Sequence, residues 1–439
     1  MGGKATEEKW TATMNNTRTS INDETHARAG LTRIIEPNDQ TGTALIKILG
    51  AIEAYKLICH HTGPAPAHAQ QQIADLLDAN GANRATLRLD AGLERWRARA
   101  NISNPHADLQ LIKNMGGGLL TPDDPHWPQG FESLQLAAPI ALWYRGNAST
   151  HVLHDPHTLL AIVGSRDATE YGRTITAEIS AGLVTKGICI VSGGAYGIDA
   201  KAHEAALAEN PPHGTDPTRP NTIAVMAGGL DRLYPAGNED LLFRIHRQGL
   251  LIAEVAPGTT PSRWRFLQRN RLIAALCAAT IVTEARWRSG ALSTAHHAAE
   301  MGRDVGATPG SIYSANSAGC HRLIREGAAT LITDAAEALE LLGTLNDQPT
   351  HPEETNPTKE TDNRDHDDLT IQDMLLLDAL PTRIPRTVDE LASRAGLGIG
   401  SILGGLTRLT TRGLTERKDN GWIRRYPNGK QAHLGQPTP

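Results

Sequence analysis

Two stretches of the chain share one grammar. Leu160-Ala161-Ile162-Val163 halts at Gly164-Ser165-Arg166, and Ile188-Cys189-Ile190-Val191 halts at Ser192-Gly193-Gly194. Unbroken apolar runs of this length, closed by Gly and Ser and followed by helical patterns, fit strands of a parallel sheet covered on both faces. The unit repeats: further apolar runs end near Met226, Ala253 and Thr283, and the intervals of 28, 35, 27 and 30 residues are each the length of a strand-helix-strand step. Right-handed crossovers then build one open α/β sheet. Ligands gather outside the carboxyl ends of such strands, so Gly164, Ser165, Arg166, Gly193, Gly194 and Gly197 are expected to share one crevice.

The first turn is not a dinucleotide fingerprint, because Gly164 stands alone where G-x-G-x-x-G needs three spaced glycines, and no G-x-x-x-x-G-K-[ST] occurs. It offers backbone N–H groups, the Ser165 hydroxyl and the Arg166 guanidinium near a helix beginning about Tyr171, a set suited to phosphate. A tight packing turn accounts for Gly164 but not for the polar pair after it. Gly193, Gly194 and Gly197 let a backbone or ligand approach closely. Asp199 is either a helix cap or a ligand group, capping being the commoner fate.

The strongest basic signal is Arg263-Trp264-Arg265-Phe266-Leu267-Gln268-Arg269-Asn270-Arg271, with four arginines, two aromatics and no acid. Arginines on successive phosphates with an aromatic under a base is what single strands call for. The run opens a helix after the fourth strand, on the same sheet edge as Gly164 and Gly193, and Arg286, Arg288, Ser289 and Gly290 after the fifth strand widen that rim. Arg84, Arg88, Arg95, Arg97 and Arg99 are read as a solvated helix face rather than a phosphate contact. His60-His61 and His296-His297 are adjacent pairs that diverge by about 100° on a helix, and neither Cys-x-x-Cys nor His-Glu-x-x-His is present. No metal, cofactor or catalytic group is expected.

A net charge of −5 argues against a nucleic-acid partner until it is resolved along the chain. Between Asp347 and Asp368, eight acidic residues face only Lys359 and Arg364, a local −6, whereas Thr370 to Pro439 holds ten Lys or Arg against six Asp or Glu. The acidity is a linker property, and basic patches remain available. Four cysteines without close pairing, Cys59, Cys189, Cys277 and Cys320, suit a reducing cytoplasm. No apolar run of eighteen residues and no signal-peptide core occur, so neither membrane nor secretion is expected.

Composition and pattern divide the 439 residues into a disordered start (1–20), a small helical, SAM-like domain (21–110), the α/β domain (112–342), an acidic flexible linker (343–368), a winged-helix domain (369–427) and a tail (428–439). The Pro-rich passage Thr121 to Pro128 and the strand-like Ala138 to Gly146 lead into the α/β domain. Pro211 to Pro217 reads as a surface loop without an assigned role. In the winged-helix outline Arg408, Arg412, Arg417, Lys418, Arg424 and Arg425 face a groove, although that outline also serves to hold protein partners.

These residues resemble the DprA (Smf) family of DNA-processing proteins. The resemblance rests on Ala161-Ile162-Val163-Gly164-Ser165-Arg166, on Ser192 to Asp199 with Ala202-His203, and on Arg269-Asn270-Arg271-Leu272-Ile273-Ala274. It continues through Glu284-Ala285, Arg288-Ser289-Gly290, Pro309-Gly310-Ser311 and Gly319 to Ala328, covering most of residues 119–332 in order. It implies an extended Rossmann-like domain that binds single-stranded DNA in a basic pocket, as a homodimer, protecting incoming DNA and loading RecA onto it during natural transformation. Carried over by position, Gly164, Ser165 and Arg166 resemble the phosphate turn, with Gly193 and Gly194 beside it. Arg263 resembles a basic pocket residue and Phe266 the stacking aromatic. Arg269, Asn270, Arg271, Arg288, Ser289 and Gly290 then complete the pocket. Leu267-Gln268 replaces a frequent Pro-containing pair, and His321 stands where Asn is usual.

The expectation is therefore a DNA-binding recombination mediator without turnover. One rival is a nucleotide-binding enzyme of related fold that cleaves N-glycosidic bonds. It needs Asp199 or Glu284 at the ribose and leaves Arg263 to Arg271 unexplained. A second is a winged-helix transcription regulator that reads DNA with the tail.

Overall fold

The structure is a computed structural model. It describes residues 23–60, 63–81, 88–210, 212 and 216–343, and in the C-terminal unit 373, 376–377, 379–381, 384–395, 397–419 and 421–425. The expectations for 1–20, most of the 211–217 loop, nearly all of the acidic linker and the 428–439 tail fall outside those residues. The chain divides into two compact units, Met1–Pro349 and Thr350–Pro439.

The first unit opens with helices α1 (23–34), α2 (Gln40–Leu49), α3 (Ala51–Cys59), α4 (Ala67–Ala79), α5 (Leu89–Ala100) and α6 (Pro105–Asn114). Leu31, Ile34, Leu45, Ile73 and Trp96 close their apolar core. The first helix is also tied to α6 and to two loops of the α/β domain. Arg33 forks onto Asp108 (Nε–Oδ2 2.8 Å) and donates to the Pro257 carbonyl, and Arg28 donates to Ile140 O at 2.8 Å.

The sheet then takes β1 (Gly117–Leu120), β2 (Leu142–Arg145), β3 (Leu159–Gly164), α7 (Glu170–Val184), β4 (Cys189–Ser192), α8 (Ile198–Ala208) and β5 (Thr222–Val225). It continues with α9 (Glu239–Gln248), β6 (Leu250–Ala253), α10 (Arg263–Leu276), β7 (Ala279–Glu284), α11 (Ala291–Glu300), β8 (Asp304–Ala307), α12 (Ala318–Arg325), β9 (Thr330–Leu331) and α13 (Ala335–Glu340). The strand order is β1-β2-β6-β5-β4-β3-β7-β8-β9, parallel from β6 to β9, with β1 and β2 added antiparallel at one edge. All five expected strands end within one residue of their expected positions.

Period-two alternation sends each strand to both faces. In β3, Leu159, Ala161 and Val163 join one core while Leu160 and Ile162 join the other. Every residue of β4, β5 and β6 is buried, which is why these runs lack polar alternation. The chain winds outward from β3 through β4, β5 and β6, then crosses back on α10 to place β7 on the other side of β3. That reversal is the switch point, where the loops after β3 and β7 splay apart and leave a crevice.

In the second unit, α14 (Val388–Ala395), α15 (Ile399–Thr411) and the hairpin β10 (Thr415–Lys418) and β11 (Gly421–Arg424) enclose a core that includes Leu377, Leu391, Ile402, Leu406 and Leu409. Arg408, expected at a groove, instead donates to the Asp373 carboxylate (Nη2–Oδ1 2.7 Å).

Candidate nucleic-acid interface

The crevice at the switch point is a groove of about 890 Å³. Its floor is the turn after β3. The Ser165 N–H donates to Glu284 O at 2.7 Å, and the Ser165 hydroxyl closes its own loop, donating to Asp167 O at 3.2 Å and accepting from Asp167 N–H at 3.3 Å. Arg166 is thereby left projecting and exposed. The neighbouring turn after β4 packs directly against this one. Gly197 has φ +79°, and a Cβ there would stand 2.2 Å from the Ser165 carbonyl oxygen.

Helix α10 forms one wall. Ser262 caps it, its hydroxyl accepting from Arg265 N–H at 3.3 Å. Arg263, Phe266, Asn270 and Ile273 recur at helical spacing and all line the groove, joined by Arg269. The same 100° step carries the other two arginines elsewhere. Arg265 pairs with Glu36 (Nη2–Oε1 2.8 Å), and Arg271, 2% exposed, turns away from the groove. It forks onto Glu254 at 2.8 and 2.6 Å and donates to Ala137 O at 2.9 Å. The expectation that Arg271 completes the pocket is corrected on this geometry: a guanidinium two residues past Arg269 faces the core side of the helix.

Five arginines line the groove, Arg166, Arg263, Arg269, Arg286 and Arg288, against Asp167 and Asp199. Arg286 is held by Asn316 and Asp167. Arg269 is sealed beneath, its Nη1 donating to Val225 O at 2.9 Å. A Cβ on Gly193 would stand 1.8 Å from that Nη1, so the glycine supplies the space the arginine occupies. Gly193 and Gly194 thus back the site without lining it. Burial lowers the Arg269 pKa, opposed by Asp199 and assisted by Arg166. Burial likewise raises that of Asp199, opposed first by Arg269. Below them His203 is pushed down to about 3 by burial and by Arg269.

Phe266 stands in the middle of the cations. The Arg166 guanidinium lies 5.2 Å and that of Arg269 6.0 Å from its centroid. Tyr234, on the β5–α9 loop, sets its ring 5.8 Å away at 48° and is 49% exposed. The sequence reading missed Tyr234; an aromatic followed by Pro235 in the turn after a buried strand was the available signal. Asn270 donates to Gly290 O at 3.2 Å, joining α10 to the β7–α11 loop, where Arg288, Ser289 and Gly290 complete the rim. Ten of the thirteen expected residues therefore meet in one groove, and Gly193, Gly194 and Arg271 do not line it.

Of the two carboxylates proposed for nucleotide chemistry, Glu284 is committed to the start of α7: it accepts from Thr169 N–H at 2.9 Å and from the Thr169 hydroxyl at 2.6 Å. Among the described residues, no group of His, Cys, Asp and Glu is arranged to hold a metal ion.

Fold and groove together define an open, mainly parallel α/β domain with an arginine-lined, aromatic-centred cleft at its switch point. Residues 118–343 match the model of the family described as DNA recombination-mediator protein A. A Mycobacterium tuberculosis protein bearing the DNA processing protein DprA designation is 36% identical over 426 residues, covering 94% of this chain and 98% of its own. Protein Smf of Synechocystis sp. is 33% identical over 346 residues, covering 74% and 84% respectively. The X-ray structure of DNA processing protein A from Streptococcus pneumoniae matches with a TM-score of 0.55 at 30% identity, covering 71% of this chain and 95% of that one. The chain belongs to the DNA recombination-mediator protein A family, the DprA (Smf) DNA-processing proteins.

Proposed function

We propose that the groove binds single-stranded DNA and that the chain acts as a recombination mediator, by binding rather than by catalytic turnover. One observation carries this: an aromatic ring reachable from solvent, Phe266, stands among five groove-lining arginines. Phosphates satisfy the exposed guanidinium groups of Arg166, Arg263 and Arg288, but only an unpaired base has a free face to lay on the ring, so the site favours single strands over duplex. The Arg166 guanidinium lies 5.2 Å from the ring centroid, close enough to take the phosphate of the nucleotide whose base stacks there. Family membership supports the wider reading: a homodimer in the cytoplasm that protects incoming DNA and loads RecA during natural transformation, with the C-terminal unit as a winged helix.

Fluorescence anisotropy of a labelled oligonucleotide, single-stranded against duplex, titrated with the full chain at several salt concentrations, tests the core of it. Tight, salt-sensitive preference for the single strand is expected. Equal binding to both forms, or none, would return the nucleotide-enzyme reading to first place. RecA loading is tested by RecA filament assembly on strands coated with single-strand-binding protein: acceleration by the chain is expected, and an unchanged rate would remove that role. Light scattering at working concentrations reads the oligomeric state.

A further inference from the structure

We propose that Trp264 and Trp287 are outlying base-stacking platforms at the two mouths of the groove, so that the bound strand runs past the groove at both ends. The inference rests on the single-strand reading above and extends it to residues outside the cleft. The same triplet occurs twice, as Arg263-Trp264-Arg265 and Arg286-Trp287-Arg288. Arg263, Arg286 and Arg288 line the groove, whereas neither tryptophan does. The triplets stand on opposite sides of β3, one opening α10 after β6 and the other following β7.

Both tryptophans are more than half exposed, at 54% and 52%. So large an apolar surface left in water beside several cations marks a contact surface rather than a core residue. Their settings differ. The Arg322 guanidinium lies 5.1 Å above the Trp287 ring, and Trp264 stands in the first turn of α10, beside Arg265, whose own side chain is turned to Glu36. Arg322 has Glu326 3.7 Å away, so its charge is partly offset and its service to Trp287 is chiefly to hold the ring. The Trp287 ring, held on one side and open on the other, suits a base, and the exposed Trp264 ring offers a face of the same kind. Arg263 beside Trp264 and Arg288 beside Trp287, both exposed, take the phosphates of that same nucleotide step, so charge complementarity selects a nucleic acid over an apolar partner.

The test compares full-chain Trp264→Ala, Trp287→Ala and the double variant with the parent and with Phe266→Ala, on oligothymidylates lengthened stepwise from about 4 to about 16 nucleotides. Strands that fill only the groove should bind the tryptophan variants as they bind the parent. Strands long enough to reach a mouth should bind roughly 5- to 150-fold more weakly for each platform removed. Trp→Phe at each position, which keeps an aromatic face, should restore most of that loss, while the melting temperatures stay at the parent value. Losses equal on short and long strands overturn the inference, as does parent-like binding of long strands by the double variant while Phe266→Ala weakens every length. If Phe266→Ala itself binds all lengths like the parent, the groove is not the strand's site and both readings fall.

Discussion

Arg166 and Arg271 were expected to do the same job, and their surroundings give them opposite ones. Arg166 projects into the groove, so Arg166→Ala should weaken single-strand binding about equally for all sequences and lower the slope of log affinity against log salt by about 0.7, the share of one phosphate contact on a single strand. The fold should hold its stability within about 0.5 kcal/mol. Arg271→Ala leaves the buried Glu254 carboxylate unpaired, and breaking such a pair costs about 3–5 kcal/mol. Denaturant unfolding separates the two variants; an Arg271→Ala midpoint equal to the parent's would return that residue to the binding site. Gly193→Ala belongs with these, since its Cβ would displace the Arg269 guanidinium from Val225 O and disturb the groove floor from behind. Weaker binding with an intact, slightly less stable fold is the expected result, and parent-like affinity would show that Arg269 has no part in the site.

At the scale of elements, α8 is joined to the sheet by a relay through His203. The Thr222 hydroxyl donates to Ile190 O at 2.8 Å, so it accepts from His203 Nδ1 at 2.7 Å, which places the imidazole proton on Nδ1. His203 is pushed down to about 3 by burial and by Arg269, against an ordinary 6.5. A folded pKa below the unfolded one means that the unfolded chain takes up a proton first as pH falls. Stability is therefore full above about 6.5 and declines from there toward 3, with a slope of up to about 1.4 kcal/mol per pH unit from this residue. His203→Gln should flatten the fall in unfolding free energy between pH 7 and pH 5; identical slopes in variant and parent would sink the assignment. Elements of this kind were readable where burial suppressed polar alternation, which is why the ends of β3 to β7 could be placed from apolar runs alone. Asp304-Val305-Gly306-Ala307 and Gly117-Gly118-Leu119-Leu120 were not readable, because glycine and alanine carry little strand signal and their pairing comes from neighbours far along the chain. The groove was legible to the same degree. Phe266 and Arg263 follow from a basic aromatic run, but deciding between Arg269 and Arg271 needs the rotation of α10 against Glu254, and Tyr234 needs the β5–α9 loop in three dimensions.

For the whole molecule the question is how a chain of net charge −5 takes a polyanion. The field that matters is local: Arg166, Arg263 and Arg288 are exposed at the groove, while eight acidic residues of the chain are confined to the segment from Asp347 to Asp368. Three phosphate contacts on a single strand correspond to a salt slope of about −2. The second unit offers fewer free charges than its composition indicates, since Arg408 is engaged by Asp373 and Arg425 lies 4.0 Å from Glu416. A chain ending after Gly343 should accordingly keep its preference for single strands, a slope near −2 and most of its affinity. Anisotropy titrations of the full and shortened chains against one oligonucleotide, each at several salt concentrations, measure all three together. Loss of binding in the shortened chain, with its thermal transition intact, would move recognition to the C-terminal unit. The protein would then read DNA as a winged-helix regulator does, and the arginines of the groove would require another anionic ligand. A retained slope with weaker affinity would instead make the second unit an auxiliary contact, adding to a site that the sheet domain already completes.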